Sequence, residues 1–368
     1  MSNTENVLGF QLKTSPKQYN FSAGPAILPQ TVMEQAAQAA LDYNDLGLSL
    51  LEMSHRSQAV VELMAEAEQL VAELLGLNSE YKVLFLTGGA SSQFYMVPMN
   101  LLSENETASY IDTGAWSTKA IKEAKYFAKV EVLASSREAN YNYIPKDYRL
   151  GTDAKYLHIT SNNTIYGTQY QDFPKTDALL VADMSSDIFS RVFEAEQFDL
   201  IYAGAQKNLG PAGTTLVIVR KSILGTVKRS IPTILDYQTH IKKNSAFNTP
   251  PVYPIYVCLL TLRWLKANGG IAAIEKLNRE KAQLLYDAID ASPYFKGTAA
   301  VADRSIMNVP FVPINKEHTA AFLAYCTKHK VSGLKGHRSV GGFRASVYNA
   351  MPKTGVEFLV NLINEFQP

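Results

Sequence analysis

The chain is predicted to be an α/β protein built on a largely parallel sheet, and three observations point there. Seven short apolar runs recur at 82–86, 108–112, 129–133, 156–160, 179–183, 200–202 and 215–219. Helix-like stretches stand between several of them, 117–127 among them, and this alternation is the mark of parallel strands covered on both faces. The chain has 368 residues, 46% of them hydrophobic and 19% charged, enough for a sizeable core and for two domains.

In chain order, residues 1–19 read as a loose polar arm. Val60, Met64, Ala67, Val71 and Leu74 follow helical spacing, and Gly76 is placed to stop that helix. The run at 82–86 leads into Thr87-Gly88-Gly89-Ala90-Ser91-Ser92-Gln93 and then a helix. The remaining runs alternate with helical stretches as far as 219. Residues 228–254 hold four prolines and many polar groups and read as a long functional loop. A helix over 257–267, a Gly269-Gly270 break and a second helix over 271–289 follow. The remainder suggests a smaller α+β domain.

Bulk properties exclude several classes. The formal net charge of +1 gives no global field for nucleic acid or an anionic membrane. Cys258 and Cys326 lie in apolar, helix-like stretches without metal-ligand spacing, so they read as buried structural thiols in a reducing compartment. The polar N-terminus lacks an apolar signal core, and no run approaches the ~20 apolar residues of a membrane span. A cytoplasmic protein is expected.

Lys207 carries the strongest chemical signal. It sits in Tyr202-Ala203-Gly204-Ala205-Gln206-Lys207-Asn208-Leu209-Gly210-Pro211, with no other charged side chain within five positions. A lysine in a tight, weakly polar loop can lose its proton and attack carbonyls, the chemistry of a Schiff base. Asp183 ends a buried run 24 residues earlier, where α/β sheets place ligand contacts. Alone it could equally be a helix cap or a satisfied core acid. On adjacent strands, though, the acid and the lysine would enter one crevice. The Gly88–Ser92 turn could offer N–H groups to an anion at a helix N-terminus, although a plain strand-to-helix turn fits the same residues. Trp116, just after a strand, could stack on a ring or simply pack in the core. A phosphate cradle, an acid for a pyridinium and a Schiff-base lysine together define a site for pyridoxal phosphate.

At these residues the chain closely resembles the phosphoserine aminotransferase family, fold-type I pyridoxal-phosphate enzymes of class V. Matching segments run from Asn20-Phe21-Ser22-Ala23-Gly24-Pro25 to Arg344-Ala345-Ser346-Val347-Tyr348-Asn349-Ala350. Between them lie Ser54-His55-Arg56-Ser57, Gly204-Ala205-Gln206-Lys207-Asn208 and Gly336-His337-Arg338-Ser339-Val340-Gly341-Gly342-Phe343-Arg344. The resemblance implies an arm at 1–19, a large cofactor-binding domain at 20–265 around a mostly parallel seven-stranded sheet, and a small C-terminal α+β domain at 266–368. It implies that Lys207 forms the Schiff base, Asp183 pairs with the ring nitrogen, Trp116 stacks on the ring and Thr164 lies beside it. Ala90 and Ser91 would offer backbone N–H groups to the cofactor phosphate, helped by Gln206. Asn248 and Thr249 would reach that phosphate from a neighbouring subunit, which makes a homodimer with shared sites. Some family members carry an arginine at the position of Ser91, so the backbone contacts carry more weight there than the side chain.

The implied substrates are L-glutamate and 3-phosphohydroxypyruvate, giving 2-oxoglutarate and O-phospho-L-serine. The phosphorylated hydroxythreonine of vitamin B6 synthesis shares both anionic ends and is a second candidate. Arg344 stands where the family binds the α-carboxylate, and its planar fork suits that group. His55, Arg56, His337 and Arg338 are the candidates for the distal anion; His55-Arg56 alone could be a solvated loop. An alanine- or serine–glyoxylate type enzyme would not need this cluster. A non-catalytic pyridoxal-phosphate module is the alternative from another class, and residues 1–19 are too few for its usual DNA-binding domain.

Overall fold

The computed structural model describes residues 18–149 and 153–368. All seven apolar runs enter one sheet: β1 (Tyr81–Leu86), β2 (Thr107–Asp112), β3 (Lys129–Ser135), β4 (Ala154–Thr160), β5 (Leu179–Asp183), β6 (Leu200–Gly204) and β7 (Thr215–Arg220). Their order is β1-β7-β6-β5-β4-β2-β3. The pairs from β6 through β3 are parallel, while β7 runs antiparallel to both β1 and β6.

The helices are α1 (Gln30–Leu41), α2 (Gln58–Leu75), α3 (Gly89–Leu101), α4 (Ala115–Ala124), α5 (Tyr237–Lys242), α6 (Val252–Ala267), α7 (Gly270–Ala291), α8 (His318–Lys328) and α9 (Lys353–Glu365). Alternate residues of each strand face opposite layers. Phe85, Leu157, Ala182 and Ile201 pack with α1, α2 and α6. Leu84, Tyr156, Val181 and Leu200 pack with α3 and α4. This double burial is why the strands read as unbroken apolar runs, and each fully buried leucine or isoleucine contributes about 1.5–3 kcal/mol. Helix α2 buries Val60, Met64, Ala67 and Val71 and ends where Gly76 turns left-handed at φ 65°.

The 228–254 stretch, expected as one long loop, is partly helical. It contains a turn at Thr233–Leu235, α5 and the start of α6. Asp236 caps α5 by accepting from the Gln238 N–H at 2.9 Å. Pro250, Pro251 and Pro254 stand at the entrance and first turn of α6, where a missing N–H leaves no helical bond unmade. The prolines thus mark a helix start. Helices α6 and α7 bend by 84° at their break, with Gly269 and Gly270 at positive φ. Among the described residues no single helix is long and apolar enough to cross a membrane.

The C-terminal sheet is antiparallel, β8 (Phe295–Gly297), β9 (Asn308–Pro313) and β10 (Phe343–Ser346) in that order. Its core is aromatic, with Phe295, Phe311, Phe322 and Phe343 in mutual contact. Two hydrophobic cores straddle the expected boundaries. Tyr19, expected in the arm, forms a parallel two-residue ladder with Val331; residues 1–17 lie outside the described residues. Phe21 and Ile27 belong to the C-terminal core. Helix α7 begins in the large core with Ile271 and Ile274 and ends in the small one with Leu285 and Ile289.

Candidate active site

The site forms at the C-terminal ends of β5 and β6. Asp183 closes β5 opposite Tyr202 of β6. Its Oδ1 accepts from the Ser185 N–H at 2.9 Å, and Ser185 Oγ accepts from the Gly204 N–H at 3.1 Å. One serine therefore ties the two strand ends together. Beyond β6 the chain coils tightly, with the N–H groups of Leu209 and Gly210 both on Ala205 O, at 3.2 and 2.8 Å. A side chain at Gly210 would meet Cys258 Sγ at 2.6 Å. Cys258 and Cys326 are both buried and free, as expected of packing thiols.

This coil aims Lys207 into the crevice. Its Nζ donates to Thr164 Oγ1 at 2.6 Å and lies 6.0 Å from the centre of the Trp116 ring. Burial pushes the ammonium down from 10.5 to about 8; Asp183 opposes the change and Arg344 adds to it. Burial also raises Asp183, against the bonds from Ser185 and the charge of Lys207. Thr164 joins both cations, since its carbonyl accepts from an Arg344 terminal nitrogen at 3.4 Å. The short ladder of Asn162–Asn163 with Thr168–Gln169 holds it there.

The Gly88–Ser92 turn is built for close approach. Gly88 and Gly89 have φ of 94° and 67°. A Cβ on Gly88 would lie 2.7 Å from Ser92 Cβ. Ser92 Oγ folds back onto the carbonyls of Thr87 (3.2 Å) and Gly89 (2.8 Å). Ala90 and Ser91 therefore sit in the first turn of α3, where N–H groups have no helical acceptor. Gln206 lies back over Gly204, where a Cβ would be 2.6 Å from its Oε1.

The basic residues divide into two sets. His337 is held by Ser339 Oγ at 2.7 Å from Nδ1. Burial lowers its pKa, and Arg344, Arg338 and Lys119 lower it further, so four basic side chains share one field. Lys119 is a residue that motif reading missed. It stands one turn after Trp116 on α4, with Nζ 4.3 Å over the same ring. The i, i+3 spacing on a predicted helix was the available signal. His55 and Arg56 are the second set; among the described residues neither they nor the uncharged Asn248 and Thr249 hydrogen-bond to Lys207. Arg56 is exposed, with its N–H on Ser54 Oγ at 3.2 Å. His55 lines a cavity of about 460 Å³ with Glu68, Lys82, Lys243 and Asn244. Asn248 and Thr249 are exposed in the loop before α6, and Asn248 lines a neighbouring cavity with Gly88, Ser92 and Ser245.

The residues present fit pyridoxal phosphate. Arg344 Nε and Trp116 Nε1 are buried donors without a partner, and a depressed lysine faces a buried carboxylate. Fold and site together define a fold-type I pyridoxal-phosphate enzyme. The chain belongs to the aminotransferase class-V family, whose model matches residues 18–359. It is 59% identical over 352 residues to a phosphoserine aminotransferase of Flavobacterium psychrophilum, covering 95% of this chain and 99% of that one. Among solved structures, the phosphoserine aminotransferase of Bacillus circulans subsp. alkalophilus is 47% identical with a TM-score of 0.93, covering 95% of this chain and 98% of that chain. The pyridoxal-phosphate-bound phosphoserine aminotransferase of Trichomonas vaginalis is 39% identical with a TM-score of 0.90, covering 95% and 100%. Pyridoxal phosphate is the cofactor of this chain.

The depressed lysine has a measurable consequence in apoprotein. Only the neutral amine attacks an aldehyde, so the rate of pyridoxal phosphate capture should rise about tenfold per pH unit below 8 and level off above it. A stopped-flow series from pH 6 to 10 reads this directly. A rate still climbing at pH 10 would indicate an ordinary exposed lysine.

Proposed function

We propose that the chain transfers the amino group of L-glutamate to 3-phosphohydroxypyruvate, giving 2-oxoglutarate and O-phospho-L-serine, a step of serine biosynthesis. The observation that carries the reading is the pairing of a depressed Lys207 and buried Asp183 with a cluster of Lys119, His337, Arg338 and Arg344 facing them. A site that accepts amino acids with two anionic ends needs such a cluster; the alanine- or serine–glyoxylate reading leaves it without work.

When bound, pyridoxal phosphate supplies the electron sink that stabilises negative charge at the substrate Cα. The chain's own groups do the rest. The N–H groups of Ala90 and Ser91, with Gln206, hold the phosphate. Asp183 keeps positive charge at the ring nitrogen, and Trp116 and Thr164 bound the ring. Arg344 grips the α-carboxylate of either amino acid, and its unpartnered Nε is free to join that grip. Lys207 Nζ takes the Cα proton as base and returns a proton as acid, which a pKa near neutrality favours. His337, Arg338 and Lys119 receive the distal phosphate or carboxylate.

His55, Arg56, Asn248 and Thr249 fit a second copy of the chain. His55 and Asn248 line adjoining cavities that share Phe85 and Ser245, and Arg56 and Thr249 are their exposed chain neighbours. The 33–61 segment exposes Met33, Leu41, Leu46, Leu48, Leu51 and Val61, and Val61 lines the His55 cavity; exposed apolar side chains of this kind are what homodimers cover. Fully active monomers in sedimentation at assay concentration would overturn the shared site.

Half-reactions test the activity. Glutamate should convert the visible absorbance of the lysine-bound cofactor to that of the aminated cofactor, and 3-phosphohydroxypyruvate should reverse it. No conversion by glutamate would sink the transaminase reading, and conversion by alanine in preference to phosphoserine would favour the glyoxylate-type one. Arg338→Ala should raise KM for phosphoserine by ~10-fold or more beyond any change for glutamate, since phosphate offers more acceptors and more charge than a carboxylate. Equal losses for both would remove Arg338 from the distal site.

A further inference from the structure

Helix α7 contributes a lysine that the chemistry above does not use. Lys281 is fully buried. Its Nζ donates to the carbonyls of Val347 at 3.0 Å, Tyr348 at 2.8 Å and Met351 at 3.0 Å. An ammonium has three donors and no acceptor, so these carbonyls saturate it; the lone pair of a neutral amine would face one of them. Burial pushes it down to about 7, and among the described residues its hydrogen bonds go to carbonyls and to no carboxylate. A methionine would fill the space without desolvating a charge, so the charge calls for a reason.

The turn it holds supplies one. Residues 347–351 directly follow β10, which contains Arg344. The Asn349 N–H donates to Asn208 Oδ1 at 3.0 Å, and Asn208 is the chain neighbour of Lys207. Tyr348 Oη donates to Ala23 O at 2.8 Å, beside Gly24, which packs against Lys207: a Cβ there would lie 3.4 Å from Lys207 Cγ. Asn278, one turn before Lys281 on α7, donates to Asn349 Oδ1 at 2.8 Å. One short turn therefore ties the strand of Arg344 to the loop of Lys207, and its carbonyls converge on a single ammonium.

We propose that Lys281 is a positioning residue, a tethered cation that gathers the 347–351 carbonyls and so sets Arg344 against Lys207. The proposal rests on the reading of those two residues given above. It implies that removing the side chain leaves a cage for a free primary ammonium.

Lys281→Ala, in the cofactor-loaded full chain, should lose ~10- to 100-fold in kcat/KM, as displacements of about 1 Å at a site do. The loss should be equal for glutamate and phosphoserine, because both present an α-carboxylate to Arg344. Propylammonium chloride, which replaces the missing atoms, should recover much of that activity. It should also raise the melting temperature of the apoprotein variant and leave the parent unchanged. Tetramethylammonium, which has no N–H, should do neither. Full activity of Lys281→Ala, or a loss in folded protein that propylammonium does not move, overturns the proposal. If the alanine variant folds only with propylammonium, the proposal stands. If it folds with neither salt, Lys281→Met decides: full activity there overturns the tethered cation, and folded protein with the predicted loss supports it. Because the melting readout uses apoprotein, it reports the ammonium cage even if the amino-transfer reading fails, while the activity readout alone tests the positioning.

Discussion

Replacing Lys207 by alanine is expected to lower turnover by on the order of 10⁴-fold while the cofactor stays bound. The expectation follows from geometry. Its Nζ enters the crevice between the Trp116 ring and Thr164, and its ammonium is pushed down to about 8. No other lysine among the described residues combines those features with a neighbouring buried carboxylate. Lys119 also reaches the Trp116 ring, but it is exposed. The Gly88–Ser92 turn and Asp183 remain in the variant, so cofactor should copurify, with the visible band of the lysine-bound form missing. Small primary amines should restore part of the proton transfer, because they supply the lost base. A variant with the band intact and full turnover would remove Lys207 from the chemistry.

Asp183→Asn is expected to cost about 1,000-fold in kcat. At an effective dielectric near 20, a pair of close unit charges is worth about 4 kcal/mol, and the amide forfeits it. The substitution keeps the local shape, because an asparagine Oδ1 can still accept from the Ser185 N–H. Loss of fold is therefore not the expected cause, and unchanged apoprotein melting checks that. A cofactor analogue methylated at the ring nitrogen carries its positive charge permanently. It should recover part of the loss in Asp183→Asn and gain nothing in the parent. Equal effects of the analogue on both would show that the carboxylate acts by shape alone.

Most of the large domain was legible because its strands are buried on both faces, so each announces itself as an apolar run. The structure moved their ends by only a few residues. The meeting of Asp183 and Lys207 followed from the same pattern, since adjacent parallel strands carry both to one edge. Thr164 was different. It stands in the turn that closes a two-residue ladder of polar residues with no periodicity, and only the family resemblance pointed to it. Lys119 lay within a predicted helix yet was overlooked, because a lysine three positions after a tryptophan reads as a solvated face. The 228–254 prolines misled in the opposite way, reading as loop where they mark a helix entrance. The ladder of Tyr19 with Val331 left no trace at all, because its two partners stand at opposite ends of the chain and no local pattern links them.

That last pairing bears on how the protein comes into being. Tyr348 and Ala23, also joined by a hydrogen bond, are 325 positions apart. During synthesis all seven strands of the large sheet, including β1 and its late partner β7, have left the ribosome by Arg220. The segment from Tyr19 to Ile27 must instead wait, its aromatic and aliphatic side chains uncovered, until the final tenth of the chain arrives. Contacts of such long sequence separation close late. The emerging polypeptide should thus pass through a stage in which its cofactor-binding half is shaped but the arginine end of the crevice has yet to dock. Chaperone dependence and premature cleavage should concentrate in that interval.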